Sequence, residues 1–225
     1  MEDPLTLLVM ALVLFVTFFL FKSQAGGEAA PAAARQAAPT PVSARAGQNK
    51  VIVPAKLTAA AKVLHARLPL RQGVRSICLS GNALFSSPLA EATSMDPHLA
   101  QRIADFAAVS DVFLLFLVRD EAEKALVLPL LNATPQLRWD PATQSGIQPH
   151  RLLFCTTVVG KIAFVRQIEP VVLIEENREV AAKLQPFVPK VVFLLGATGD
   201  VLPDSSKDNV EYHTDVAAYH SVFAA

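Results

Sequence analysis

The chain has 225 residues, with 20 Lys plus Arg set against 20 Asp plus Glu, and it is 52% hydrophobic and 18% charged. A typical soluble domain carries roughly 25% charged residues, so part of this chain favours lipid. Zero formal charge and the lack of a basic run interleaved with aromatics exclude a nucleic-acid footprint. Cys78 and Cys155 stand far apart and outside any CxxC pair, which excludes a zinc ribbon or a disulfide scaffold.

The first predicted element is a transmembrane anchor. Leu5 to Phe21 carries no charge, is interrupted only by Thr6 and Thr17, and has no polar face, which suits lipid better than a protein core. A cleaved signal peptide is the alternative, because Ser23-Gln24-Ala25 offers small residues. Glu2 and Asp3, however, stand where such a peptide needs positive charge. Acids alone precede the span, whereas Lys22, Arg35, Arg45 and Lys50 follow it, and that asymmetry predicts a cytosolic C-terminal portion.

Residues 1–22 are thus read as the anchor, 23–50 as a linker and 51–225 as the folded domain. Between Ser23 and Asn49 the chain is dominated by Ala, Gly and Pro and lacks Leu, Ile, Phe, Trp and Tyr, so it cannot build a core. As a disordered chain it would span about 30 Å on root-mean-square average.

From residue 51 onward, helical patterns alternate with apolar runs of strand length. This alternation predicts an α/β domain, a Rossmann-like parallel sheet of about five strands with helices on both faces. A helix over Ala55–Arg67 leads into a strand over Val74–Leu79. Asp96-Pro97 opens a helix to Val109, followed by a strand over Asp111–Val118. Asp120 caps a helix to Leu131 that Pro129 should distort or end early. Asn132–Pro149 reads as a surface loop, with Trp139 packing it onto the domain or touching a partner. Strands over Arg151–Thr156, Val171–Ile174 and Lys190–Leu195 then alternate with helices over Thr157–Ile168, Asn177–Phe187 and Thr214–Phe223.

Chemistry in such a sheet belongs at the carboxyl ends of the strands. There Ser80-Gly81-Asn82 reads as a turn, and no GxGxxG motif follows the first strand. Cys155 to Lys161 invites a phosphate-loop reading. That loop would need Gly at Cys155 and a hydroxyl at Ile162, while a thiol phosphatase would need Arg at Lys161. Both cysteines read as buried thiols that adjacent strands could bring close together, and Gly196 to Asp200 reads as another turn. His65, His98, His150, His213 and His220 show no HxxxH spacing. These observations predict no catalytic residue, metal, cofactor or small-molecule substrate, and hence a binding module rather than an enzyme. The alternative is a membrane-anchored thiol or phosphate-handling hydrolase using Cys155 with Lys161.

One stretch is more specific. Arg151-Leu152-Leu153-Phe154-Cys155-Thr156-Thr157, then Gly160, then Ala163-Phe164-Val165-Arg166-Gln167-Ile168-Glu169-Pro170, resembles the peroxin 22 family in its plant-type form. The resemblance implies a single-pass peroxisomal membrane protein with its N-terminus in the lumen and its domain in the cytosol. It also implies a partner, a ubiquitin-conjugating enzyme like peroxin 4, recruited for recycling of the matrix-protein import receptor.

On the helix over Thr157–Ile168, Val158, Ile162 and Val165 form a stripe that should face the sheet. Phe164 is turned about 100° from it and is the candidate partner anchor, with Arg166, Gln167 and Glu169 as a polar rim. Alternatively, Phe164 packs on a neighbouring helix and Arg166 pairs with Glu169.

Overall fold

The computed structural model describes residues 57–196, 202 and 208–224. The anchor over Leu5–Phe21, the linker, residues 51–56 and most of the turn after Gly196 lie outside these residues. Among the described residues, no helix is long and apolar enough to cross a membrane.

The chain order is α1 (Ala59–Arg67), β1 (Ser76–Ser80), α2 (Pro97–Val109), β2 (Asp111–Leu117), α3 (Glu121–Ala133), β3 (Leu152–Cys155), α4 (Val158–Ile168), β4 (Val172–Glu175), α5 (Arg178–Leu184), β5 (Lys190–Leu194), β6 (Val210–His213) and α6 (Val216–Ser221). The helices start where short polar side chains satisfy free amides. Thr58, Asp96, Asp120, Thr157, Asn177 and Asp215 each accept a hydrogen bond from an N–H in the first turn.

The strands form one parallel sheet in the order β3-β2-β1-β4-β5-β6. Alternation along each central strand supplies two cores, because successive side chains point to opposite faces. Ile77, Leu79, Leu114, Phe116 and Ile174 meet Leu64, Ile103, Phe106, Val127 and Tyr219 from α1, α2, α3 and α6. On the other face, Cys78, Leu115, Leu173 and Val191 meet Val165 from α4 and Val180, Ala181 and Leu184 from α5.

Several expectations need correction. The sheet has six strands rather than five: β6 is a half-buried edge strand whose Val-Glu-Tyr-His pattern lacks the continuous apolar run of the central strands. Pro129 does not end α3, which continues to Ala133. Pro129 and Ala125 both face solvent, so water can satisfy the carbonyl that loses its amide partner. The predicted Asn177–Phe187 helix stops at Leu184. Cys78 and Cys155 are not on neighbouring strands, since β2 runs between β1 and β3.

Candidate functional site

The strand order fixes where a ligand crevice would open. From β1 the chain steps one way to β2 and β3, then α4 carries it back across the sheet to β4, from which it proceeds the other way. The reversal lies between the carboxyl ends of β1 and β4, where open parallel sheets bind their ligands. Ser80 ends β1 and Glu175 ends β4 at that point.

The floor of this crevice is a buried ion pair. Lys161, near the start of α4, sends its stem over the sheet so that Nζ lies 2.9 Å from each oxygen of the Glu175 carboxylate. The same ammonium donates to Ser80 Oγ at 2.8 Å. Glu175 Oε1 also accepts from the amides of Glu176 and Asn177 at 3.1 and 2.9 Å. Lys161, Glu175 and Ser80 are 1%, 0% and 1% exposed, so the charges are compensated by one another and by these donors rather than by water.

The neighbouring turn is closed as well. A Cβ on Gly81 would meet the ring of Phe116 at 2.3 Å, so the chain turns here only because residue 81 has no side chain. The Asn82 side-chain amide then pairs with both main-chain groups of Leu117, donating at 2.9 Å and accepting at 2.8 Å.

Glu176 stands at the rim. Its carboxylate accepts from Ser80 Oγ at 3.2 Å and faces a cavity of ≈ 480 Å³ bounded by Phe85, Asp96, Arg102 and Thr214. Burial, with the adjacent Glu175 charge, pushes its pKa up to about 7.

Cys155 is not set up as a nucleophile. Its thiol donates to the Phe116 carbonyl at 3.4 Å, and burial raises its pKa, against the lowering effect of Lys161. A reactive thiol needs the opposite shift, and the Lys161 cation is committed to Glu175. Cys78 is fully buried, and burial followed by the Glu175 charge holds its thiol well above the ordinary range.

The candidate partner residues divide between two surfaces. Val165 is buried, while Val158, Ile162 and Phe164 pack partly buried against the same core. Phe164 also lines a groove beside β3, of ≈ 510 Å³, together with Trp139 from the preceding loop. Arg166 and Gln167 are exposed, and the Arg166 guanidinium lies 4.6 Å from the ring centroid of Phe187, itself a large exposed hydrophobic side chain. Glu169 ends α4 in the left-handed conformation and meets Arg71 at 3.2 Å. Sequence reasoning missed Phe187 as a surface group and Lys161 as a buried one. For Lys161 the available signal was its position next to Ile162 on the sheet-facing side of α4.

The family described as "Peroxisome biogenesis protein 22, Haloacid dehydrogenase-like domain" has a sequence model that matches residues 67–214. The chain belongs to this peroxin 22 family. A curated relative, Peroxisome biogenesis protein 22 of Arabidopsis thaliana, is 31% identical over 86 residues, covering 38% of this chain and 29% of that protein. The match therefore spans less than a third of the curated relative's length. Among solved structures, D,D-heptose 1,7-bisphosphate phosphatase from Burkholderia thailandensis aligns over 67% of this chain and 99% of its own, with a TM-score of 0.47 and 13% identity. The family match takes in the whole buried network, from Ser80 through Lys161 to Glu176.

Proposed function

We propose that the chain is a peroxisomal membrane docking protein that recruits a ubiquitin-conjugating enzyme for recycling of the matrix-protein import receptor. The family match over residues 67–214 carries this reading. The buried Lys161–Glu175 pair at the strand ends supports a role in binding rather than turnover, because groups placed where ligand chemistry would sit are committed to one another.

The apolar stretch over Leu5–Phe21 serves as the anchor, with the N-terminus in the lumen and the domain in the cytosol. Tethering confines the enzyme close to membrane-bound receptor and ligase, at effective concentrations that reach the millimolar range for short linkers. The docking face centres on the outer side of α4. Arg166, Gln167 and Glu169 supply its polar rim, Phe187 stacks beneath Arg166, and Phe164 forms the adjoining wall. Aromatic and arginine side chains of this kind are the residues on which interfaces concentrate their energy.

Capture of cytosolic conjugating enzymes on the immobilised full chain tests this. One enzyme retained selectively is the expected result, and a fluorescent fusion should label peroxisomes in a punctate pattern. Capture of no conjugating enzyme above background overturns the proposal.

A further inference from the structure

We propose that the groove beside β3 is a second docking site, one that takes an extended acidic–apolar segment of a partner protein as an added strand. This site lies on the β3 edge and adjoins the Arg166 face of α4 through Phe164, and the inference does not depend on the partner being a conjugating enzyme.

The main chain supplies the first argument. β3 is an edge of the sheet, and no strand lies beyond it among the described residues. The amide of Val118 donates to the Cys155 carbonyl at 2.9 Å, so the peptide groups of Cys155 face β2. Main-chain groups alternate in direction along a strand, hence the N–H and C=O of Phe154 point away from the sheet into the groove. Leu152 needs no such partner for its amide, which already donates to Pro149. An open donor and acceptor pair on an edge strand is the group that β-strand addition uses.

The walls supply the second. Side chains from both faces of the sheet line this one groove: Leu128, Leu131 and Phe154 from the α3 side, Leu153 and Phe164 from the α4 side, with Trp139 opposite. The groove thus wraps around the strand edge. An incoming strand alternates its side chains between two faces and would find apolar pockets for both sets.

Charge selects the occupant. Among the described residues Lys124 is the one charged side chain lining the groove, with Nζ 5.7 Å from the centre of the Phe154 ring and its outer partner Glu121 86% exposed in the side chain. Among the described residues no carboxylate lines the groove; Glu121, which pairs with Lys124 at 2.9 Å, stands outside it in solvent, where such a pair exchanges at little cost. A segment with one acidic residue among apolar ones matches these walls, and a basic segment would bring like charges together.

Trp139 is the chain's single tryptophan and sits in the groove wall, so its fluorescence reports occupancy. The probe is a terminally blocked heptapeptide of valine and leucine around one central aspartate, titrated into the full chain. Two control peptides carry lysine for the aspartate, or N-methyl groups on alternate amides. The aspartate peptide should give a saturable change at sub-millimolar concentration, both controls should bind at least tenfold more weakly, and Lys124→Glu should reverse the preference between aspartate and lysine. Three results would overturn the proposal. One is no saturable response up to several millimolar, and another is equal binding of the N-methylated peptide. The third is concentration-dependent dimerisation of the chain alone that blocks the response, which would assign the edge to a second copy. Capture of a conjugating enzyme is read separately, so failure of either result leaves the other interpretable.

Discussion

Replacing Lys161 by methionine removes the cation and leaves the stem. The Glu175 carboxylate, 0% exposed, would then keep only the amides of Glu176 and Asn177, and Ser80 Oγ would lose its donor. Removing one member of a buried pair costs about 3 to 5 kcal/mol, because the remaining charge is uncompensated. Domains of this size are stable by about 5 to 15 kcal/mol, so Lys161→Met should lower the urea midpoint strongly with little change in slope. Replacing both partners, Lys161→Met with Glu175→Leu, removes the orphaned charge and should recover most or all of the loss. Equilibrium denaturation followed by circular dichroism measures both variants. A loss below about 1 kcal/mol in the single variant, or a double variant no better than the single, would show that the pair does not hold the strand ends together.

The other predictions concern the rim, the turn and the docking face. The folded pKa of Glu176 is raised, so the native state holds an extra proton between pH 4.5 and about 7 and stability falls as pH rises through that window. Glu176→Gln escapes this cost. Its advantage over wild type should grow from near zero at about pH 4.5 to a ceiling of about 3 kcal/mol at pH 8, at about 1.4 kcal/mol per pKa unit. An advantage independent of pH in parallel melts would refute the assignment. Gly81→Ala drives a methyl into the ring of Phe116, which is 0% exposed and stacked 5.2 Å from Phe154, and should cost about 1 to 3 kcal/mol in the same denaturation assay. Arg166→Glu should weaken capture of the conjugating enzyme at least about thirtyfold, the effect of losing about 2 kcal/mol at an interface centre. Its thermal midpoint should stay close to wild type, because surface changes rarely exceed about 0.5 kcal/mol.

The fold was legible where local chemistry and hydrophobic pattern agree. Asp96-Pro97, Asp120 and Thr157 cap the helices they were expected to open, and the five apolar strand segments all pair in the sheet. β6 escaped because an edge strand buried on one side needs only Val210 and Tyr212 to be apolar, a pattern too short to distinguish from loop. The α4 stripe led towards the sheet, yet its strongest anchor in the crevice is a charged residue. Lys161 follows no apolar pattern, and its burial depends on Glu175, which lies in another element and is brought near only by the crossover from β3 to β4. Local periodicity places Lys161 on the sheet-facing side of α4 beside Ile162, but it does not reveal the carboxylate that compensates its burial. Phe164 illustrates the same limit, since its helical angle indicated a side chain off the stripe but not which neighbouring element would meet it.

The ion pair also constrains which parts of the surface can evolve new contacts. The ends of β1 and β4 are tied together by Lys161, Ser80, Glu175 and the Glu176 amide into one buried network. Such a network makes β1, β4 and the start of α4 a rigid unit, because moving any member exposes an unpaired charge or donor in low dielectric. Rigidity at the start of α4 fixes the helix on the sheet and, through it, the orientation of Arg166 on the outside and Phe164 beside the β3 edge. Preorganised side chains lose less conformational entropy when a partner arrives. The residues that tie the ends of β1 and β4 together are therefore also the residues that would hold the proposed docking surfaces in register.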